Sequence, residues 1–418
     1  MKAFWTIENC GISSEKKISS LAYRFVSYLL LASAVFFGLN QQLQAQSDTG
    51  WHVEVVDDGK GEDVGRFSDL AIDNMGNLHI AYYDEQKRSL RYAFRGPQKR
   101  WDIMTVDPQK AGTYVSIAVD ALGHPHFAYN SPFETGLHYA TWDGKDWHRF
   151  LIDGDATDHF ISMQLDSKGN PYISYYREVY PDGSYALYLK YAHFDGKTWY
   201  VETVDHRMHT GKFNSLALDA NGYPHIAYWE QEAGDLRTVR WDGSHWQFGT
   251  ADTRRATNDY VGLGNSIALD SDGNPGIAYF DTSAKTLKYA WQKDGTWHNQ
   301  VVDQLSGLWV FNDRVSLKID SHNHPHIAYS DHGIGAVKYA SKDDTGWHVD
   351  AVENRSHVTG YPSLSLGKDE RPYIAFYDLN DGQLRLAQHD PNSRTVSTSA
   401  EASKPQKSAE AHPADPPK

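Results

Sequence analysis

The chain has 418 residues, a net charge of −14 and 13% aromatic residues, and is long enough for one large domain. So acidic a protein disfavours nucleic acid and anionic membranes as partners. Its single cysteine, Cys10, lies near the N-terminus and leaves the remainder without a disulfide, a thiolate metal site or a cysteine nucleophile.

The first 45 residues differ from the rest. Phe25 to Leu39 is an apolar run behind Lys16, Lys17 and Arg24, too short for a comfortable membrane span. Leu43-Gln44-Ala45 then offers a small-residue cleavage site. The pattern predicts a signal peptide over 1–45, a linker over 46–50 and a secreted or periplasmic protein. The alternative is an uncleaved signal-anchor that tethers the chain to a membrane; no other membrane insertion is expected. This segment carries +2, which leaves −16 for the remainder.

From Trp51 onward the sequence repeats. Leu78 to Asp84 reads Leu-His-Ile-Ala-Tyr-Tyr-Asp, and related triplets return at Phe127-Ala128-Tyr129, Ile173-Ser174-Tyr175, Ile226-Ala227-Tyr228, Ile277-Ala278-Tyr279, Ile327-Ala328-Tyr329 and Ile374-Ala375-Phe376, 46 to 53 residues apart. A fixed period in that range marks a repeat architecture. Each unit holds four short pieces rich in β-branched and aromatic residues. Examples are Ser215–Asp219, Pro224–Tyr228, Leu287–Ala290 and Trp297–Asp303. These are strands, and four strands per unit at this period make a propeller blade.

Six Trp-led strands follow their units, at Trp101, Trp147, Trp199, Trp246, Trp297 and Trp347, whereas the last unit runs into Gln388-His389-Asp390 without one. The fold class predicted is therefore all-β: a seven-bladed β-propeller of four-stranded antiparallel blades over 51–390. Strand 51–57 joins the last blade and closes the ring, which removes the exposed edges of an open array. Residues 391–418 are poor in large apolar side chains and are expected to be disordered.

Between first and second strands recurs Asp-x-x-Gly-x-Pro, as at Asp120–Pro125 and Asp219–Pro224. Asp320–Pro325 puts Asn323 in place of the glycine; the last copy has Gly367 for the Asp and Glu370 for the Gly, a weaker turn. Asp270–Asn274 looks like the start of a calcium loop but lacks the distal glutamate. His79, His126, His225 and His326 occupy one repeat position; blade symmetry spreads them too far apart to share an ion. No metal and no cofactor is predicted.

The turns into the Trp strands read Asp143-Gly-Lys-Asp-Trp147, Asp195-Gly-Lys-Thr-Trp199 and Asp242-Gly-Ser-His-Trp246. Here the sequence resembles the bacterial neuraminidase repeat, or Asp-box, proteins of the sialidase superfamily. Asp, Gly and Trp of the box are present; its leading Ser is irregular. The resemblance spans 51–388 and implies a propeller of that type. It does not imply sialidase chemistry, because the arginine triad and Tyr–Glu pair are not assignable. Ser-x-x-x-Asp-x-x-Gly-x-x-His is also similar to the repeats of some propeller polysaccharide lyases, whose Asp-Gly-His-Asn catalytic stretch is missing.

On one face of a propeller, the residues before the inner strand and after the second strand surround the channel. Tyr83, Asp84, Tyr114, Phe160, Tyr180, Trp229, Glu230 and Arg314 are the candidate ligand-binding residues: aromatic faces for sugar C–H surfaces, acids and a guanidinium for hydroxyls and charges. Insertions at 178–185 and 252–264 fall on the same side. His159, Tyr176, Arg177 and Lys212 are candidate catalytic groups for a β-elimination, with the third blade as the centre of the site. Three functions follow, in order: a secreted monomeric module binding a glycan or protein ligand at the channel face; an extracellular polysaccharide lyase or glycosidase; and a membrane-tethered scaffold without a small-molecule site.

Overall fold

The structure, a computed structural model, describes residues 50–390 apart from 110, 132–135, 155–158, 180–184, 255, 257–258, 308–313 and 354–359. The signal segment, most of the linker, the C-terminal tail and Tyr180 lie outside the described residues, as does the side chain of His159.

The alternating, β-branched segments form seven four-stranded antiparallel sheets, each running outward in chain order. The inner strands are Val64–Ile72, Thr113–Val119, His159–Leu165, Thr210–Leu218, Val261–Leu269, Ser316–Ile319 and Ser363–Leu366, which define blades 1 to 7. The outer strand of blade 7 is Trp51–Asp57, paired antiparallel with Gln383–His389 from Trp51 opposite His389 to Asp57 opposite Leu384. The ring closure read from the sequence is thus present. Among the described residues the one helical turn is Gly59–Gly61, and no helix is long and apolar enough to cross a membrane.

The second strands are almost wholly buried. Tyr82, Tyr129, Tyr175, Tyr228, Tyr279 and Tyr329 have no exposed surface, and neither does Phe376 at the same position. A buried tyrosine needs a partner for its hydroxyl. Each of these six donates to the aspartate that ends the preceding blade's outer strand, at 2.5 to 2.9 Å: Tyr82 to Asp57, Tyr129 to Asp107, Tyr175 to Asp153, Tyr228 to Asp205, Tyr279 to Asp252 and Tyr329 to Asp303. Third-strand cations complete most of these bonds; Lys190, Lys288 and Lys338 each pair with the same aspartate. The outer Trp packs edge-on against the previous blade's third-strand tyrosine, as in Tyr139–Trp199 at 5.2 Å and Tyr339–Trp51 at 5.1 Å.

A second belt runs around the channel. Six inner strands place a serine there (Ser116, Ser162, Ser215, Ser266, Ser316, Ser363), and blade 1 places Asp69. Each accepts a hydrogen bond from a backbone N–H of the next blade at 2.9 to 3.2 Å, seven bonds in a closed circle. The serine column is therefore inter-blade adhesive, and its regularity needs no ligand.

Candidate functional site at the channel mouth

The inner strands begin with a β-bulge two to three residues before the serine belt, seen as a register slip at Arg66/Asp69, Thr113/Ser116, Lys212/Ser215 and Leu263/Ser266. A bulge re-aims one side chain. Here the residue two before each belt position turns to the mouth: Phe67, Tyr114, Phe160, Phe213 and Tyr361, all at φ between 53° and 56°, and Gly264 at 62°. A non-glycine residue in that region costs about 1–2 kcal/mol, and the structure holds five of them there. Space is conserved behind the bulge by glycines such as Gly112 (φ 114°), where a Cβ would lie 2.7 Å from the Leu90 Cα.

The five rings form a collar. Phe67 lies 4.6 Å from Tyr361 and 4.4 Å from Tyr114; Tyr114 lies 5.3 Å from Phe160, and Phe160 4.4 Å from Phe213. Gly264 leaves a gap over blade 5. Blade 6 supplies Arg314, whose guanidinium reaches across to Tyr114 and Phe160, 5.8 and 5.4 Å from their centroids. Its Nη2 is buried and, among the described residues, has no hydrogen-bond partner. Burial pushes the Arg314 pKa down, with Asp69 acting in the opposite direction; a guanidinium stays charged regardless, so this is a poorly solvated cation. Below it Lys318 lines the same channel, also pushed down by burial against the pull of Asp69. Asp69 itself is engaged, accepting from Ser363 Oγ at 2.7 Å, Ser116 Oγ at 3.1 Å and the Ile117 N–H at 2.9 Å. The cavity under the collar has a volume of about 120 Å³.

The remaining sequence candidates sit elsewhere. Tyr83, Tyr176 and Trp229 are 4 to 5% exposed and pack beneath the collar, with Tyr83 6.2 Å from Phe67, Tyr176 6.0 Å from Phe160 and Trp229 6.1 Å from Phe213. They support the collar rather than face outward, because the second strands run one or two residues past the repeat centre. Asp84 has no exposed surface: it accepts the Lys87 N–H at 2.9 Å, which caps the following turn, and pairs with Arg91 at 3.0 Å. Glu230 pairs with Arg207 at 3.3 Å and Arg237 at 3.5 Å.

Of the candidate catalytic residues, Tyr176, Arg177 and Lys212 do not converge; the side chain of His159 lies outside the described residues. Tyr176 and Arg177 are consecutive in a regular strand, so they point to opposite faces of blade 3. Lys212, pushed down by burial, faces blade 3 near Glu178. The collar's exposed surface is at Phe67, Tyr114 and Tyr361, on blades 1, 2 and 7, whereas Phe160 and Phe213 on blades 3 and 4 are buried. The aromatic surface is thus centred away from the third blade. Sequence reading missed Lys318, although its column is otherwise Ala71, Ala118, Gln164, Ala217, Ala268 and Ser365.

No protein-family model and no curated protein matches the chain. Solved structures do match, at the level of fold. A polysaccharide lyase of family PL25, an ulvan lyase, aligns over 77% of this chain and 94% of its own at 12% identity, with a TM-score of 0.52. A protein of unknown function from Dyadobacter fermentans aligns over 82% and 99% at 11% identity, TM-score 0.51. A triple-arginine mutant of AofleA from Arthrobotrys oligospora aligns over 73% and 91% at 14% identity, TM-score 0.50. At 11% to 14% identity these likenesses show the propeller fold alone.

Proposed function

We propose that this propeller binds an acidic saccharide at the channel mouth. The observation that carries the reading is Arg314: a guanidinium with a buried, unpartnered Nη2 at the centre of an aromatic collar. Sugar rings offer C–H faces that lie against aromatic side chains, and carboxylate or sulfate groups are the matching partner of a guanidinium. The cavity of about 120 Å³ is well under the ~300 Å³ of a typical small-molecule pocket. Only the anionic substituent enters it, towards Arg314 and Lys318, while the sugar ring rests on Phe67, Tyr114 and Tyr361. The ulvan lyase of similar fold was solved bound to -[GlcA(1-4)Rha3S]-, which supports the reading for the architecture. The test is a glycan array of uronates, sulfated sugars and matched neutral sugars; retention of neutral sugars alone rejects the reading.

A second reading, lyase activity, is favoured by Lys212, whose burial lowers its pKa towards that of a usable base. Assaying uronate polymers for unsaturated products with wild type and Lys212→Met tests it, and absence of product on all of them rejects it. Both readings place the protein outside the cytoplasm. Exported protein is expected to begin near Gln46, and N-terminal sequencing that finds Met1 would favour a membrane anchor.

A further inference from the structure

On the opposite face, the turns from inner to second strands repeat one design. The aspartate accepts backbone N–H groups two and four residues on, as Asp219 does from Asn221 and Tyr223 at 2.9 and 2.8 Å, and a glycine follows at positive φ. Blades 1 to 5 keep it. The two departures are neighbours, in blades 6 and 7. Blade 6 has His322, Asn323 (φ 66°) and His324, and blade 7 has Glu370 at φ 60° where the others have glycine.

These departures gather metal-ligand chemistry in one place. One ligand atom each of Asp320, His322 and Glu370 lies within 4.8 Å of the others. His322 Nδ1 is 3.3 Å from Glu370 Oε2, and His324 Nδ1 is 3.4 Å from Asp320 Oδ2. Tetrahedral bonds of about 2.0–2.1 Å imply ligand-to-ligand edges of about 3.3–3.4 Å, so His322 and Glu370 already stand at the separation of two ligands on one ion, with an Asp320 oxygen within 4.8 Å of both. Asp320 is held from behind: its Oδ2 meets His326 Nε2 at 3.2 Å and its Oδ1 accepts the His322 and His324 N–H groups. Hydrogen-bonded ligand carboxylates are the ordinary surroundings of a metal site.

The location has a structural reason. Phe376 has no hydroxyl, so the junction of blades 6 and 7 lacks the tyrosine–aspartate bond that crosses the other six. Asp320, His322 and His324 belong to blade 6 and Glu370 to blade 7. The left-handed region costs Glu370 about 1–2 kcal/mol, and there its Oε1 accepts the Ser321 N–H at 3.1 Å and the Ser321 hydroxyl while its Oε2 faces His322, so this carboxylate already bridges the two blades.

We infer that Asp320, His322 and Glu370 form a three-ligand site, completed by water, for a divalent transition-metal ion that staples blade 6 to blade 7. One imidazole with two carboxylates suits zinc and its neighbours, and the imidazole disfavours calcium and magnesium, which take oxygen ligands. The inference is independent of the saccharide reading.

The test is zinc titration of the untagged, metal-free full chain by calorimetry and thermal unfolding. One zinc per chain is expected, with Tm raised by about 4 °C at a hundredfold excess over Kd, reversed by chelator and not produced by calcium. His322→Ala and Glu370→Gln should each weaken binding at least tenfold. Glu370→Gly should do the same while raising the metal-free Tm, because the backbone strain is relieved, so a folding defect cannot mimic the result. His148→Ala, an exposed histidine of a blade-2 turn beside Asp143, should bind as wild type does. A wild-type Kd weaker than ~100 μM, or unaltered zinc binding by both His322→Ala and Glu370→Gln, overturns the inference.

Discussion

Two populations of buried cations divide the molecule. Arg91, Lys190, Arg237, Lys288, Lys338 and Arg385 occupy third strands, and each faces one or two carboxylates. Arg314 and Lys318 line the channel, and among the described residues neither forms an ion pair or hydrogen bond. The first group repeats from blade to blade and belongs to the scaffold. The second breaks the repeat and keeps two half-buried charges unneutralised. A desolvated charge without a partner costs stability, so its retention points to a partner from outside.

Deleting Trp51–Asp57 should have the largest effect. It exposes the edge of Gln383–His389 and removes Asp57 from Tyr82 and Arg91; aggregation or a collapse of Tm is expected, and a monomeric species with wild-type Tm would break the closure account. Next is Lys288→Ala. Lys288 is 3% exposed and pairs with Asp252 and Asp281. Leaving those aspartates uncompensated should cost about 3–5 kcal/mol in denaturant unfolding; a loss under about 1 kcal/mol would place it with ordinary surface pairs.

The pH dependence comes from a third set of buried groups, the repeat histidines of the second strands. Burial lowers the pKa of His79, His126, His225 and His326 despite their nearby aspartates. The unfolded chain then takes up protons near pH ~6.5 that the folded chain refuses. Stability is full above that pH and falls as pH drops below it. Tm should be flat from about pH 8 to 7 and decline from about 6.5 to 5, less steeply in His79→Gln, which removes the imidazole between Asp73 and Tyr92. A flat Tm across the whole range contradicts this. A smaller effect is Tyr279→Phe, which reproduces the Phe376 arrangement by removing the bond to Asp252 and should cost about 1–3 kcal/mol.

The ring was legible because period, turn residues and the displaced Trp51 strand are one-dimensional signals. Arg314, Tyr114 and Phe160 were legible because they stand two positions before the belt. Tyr83, Asp84 and Trp229 misled for a physical reason: residues after the repeat centre read as loop, but the strand continues and buries them. Phe67 and Tyr361 stand at that same position, and the bulge that turns all of these aromatics to the mouth leaves no signature in residue type, since aromatics are poor candidates for positive φ. Tyr176 and Arg177 looked like one site only until strand alternation separated them.

The most direct measurement compares wild type with Arg314→Met, by folding and by binding. Stability should move by no more than about 1 kcal/mol, since methionine gives up a cation–π contact but removes a desolvated charge. On an array of uronates, sulfated sugars and matched neutral sugars, wild type should retain acidic saccharides and Arg314→Met should lose at least tenfold in affinity, about 1.4 kcal/mol. Equal retention of acidic saccharides by both proteins, or none by wild type, would contradict the account of the channel mouth.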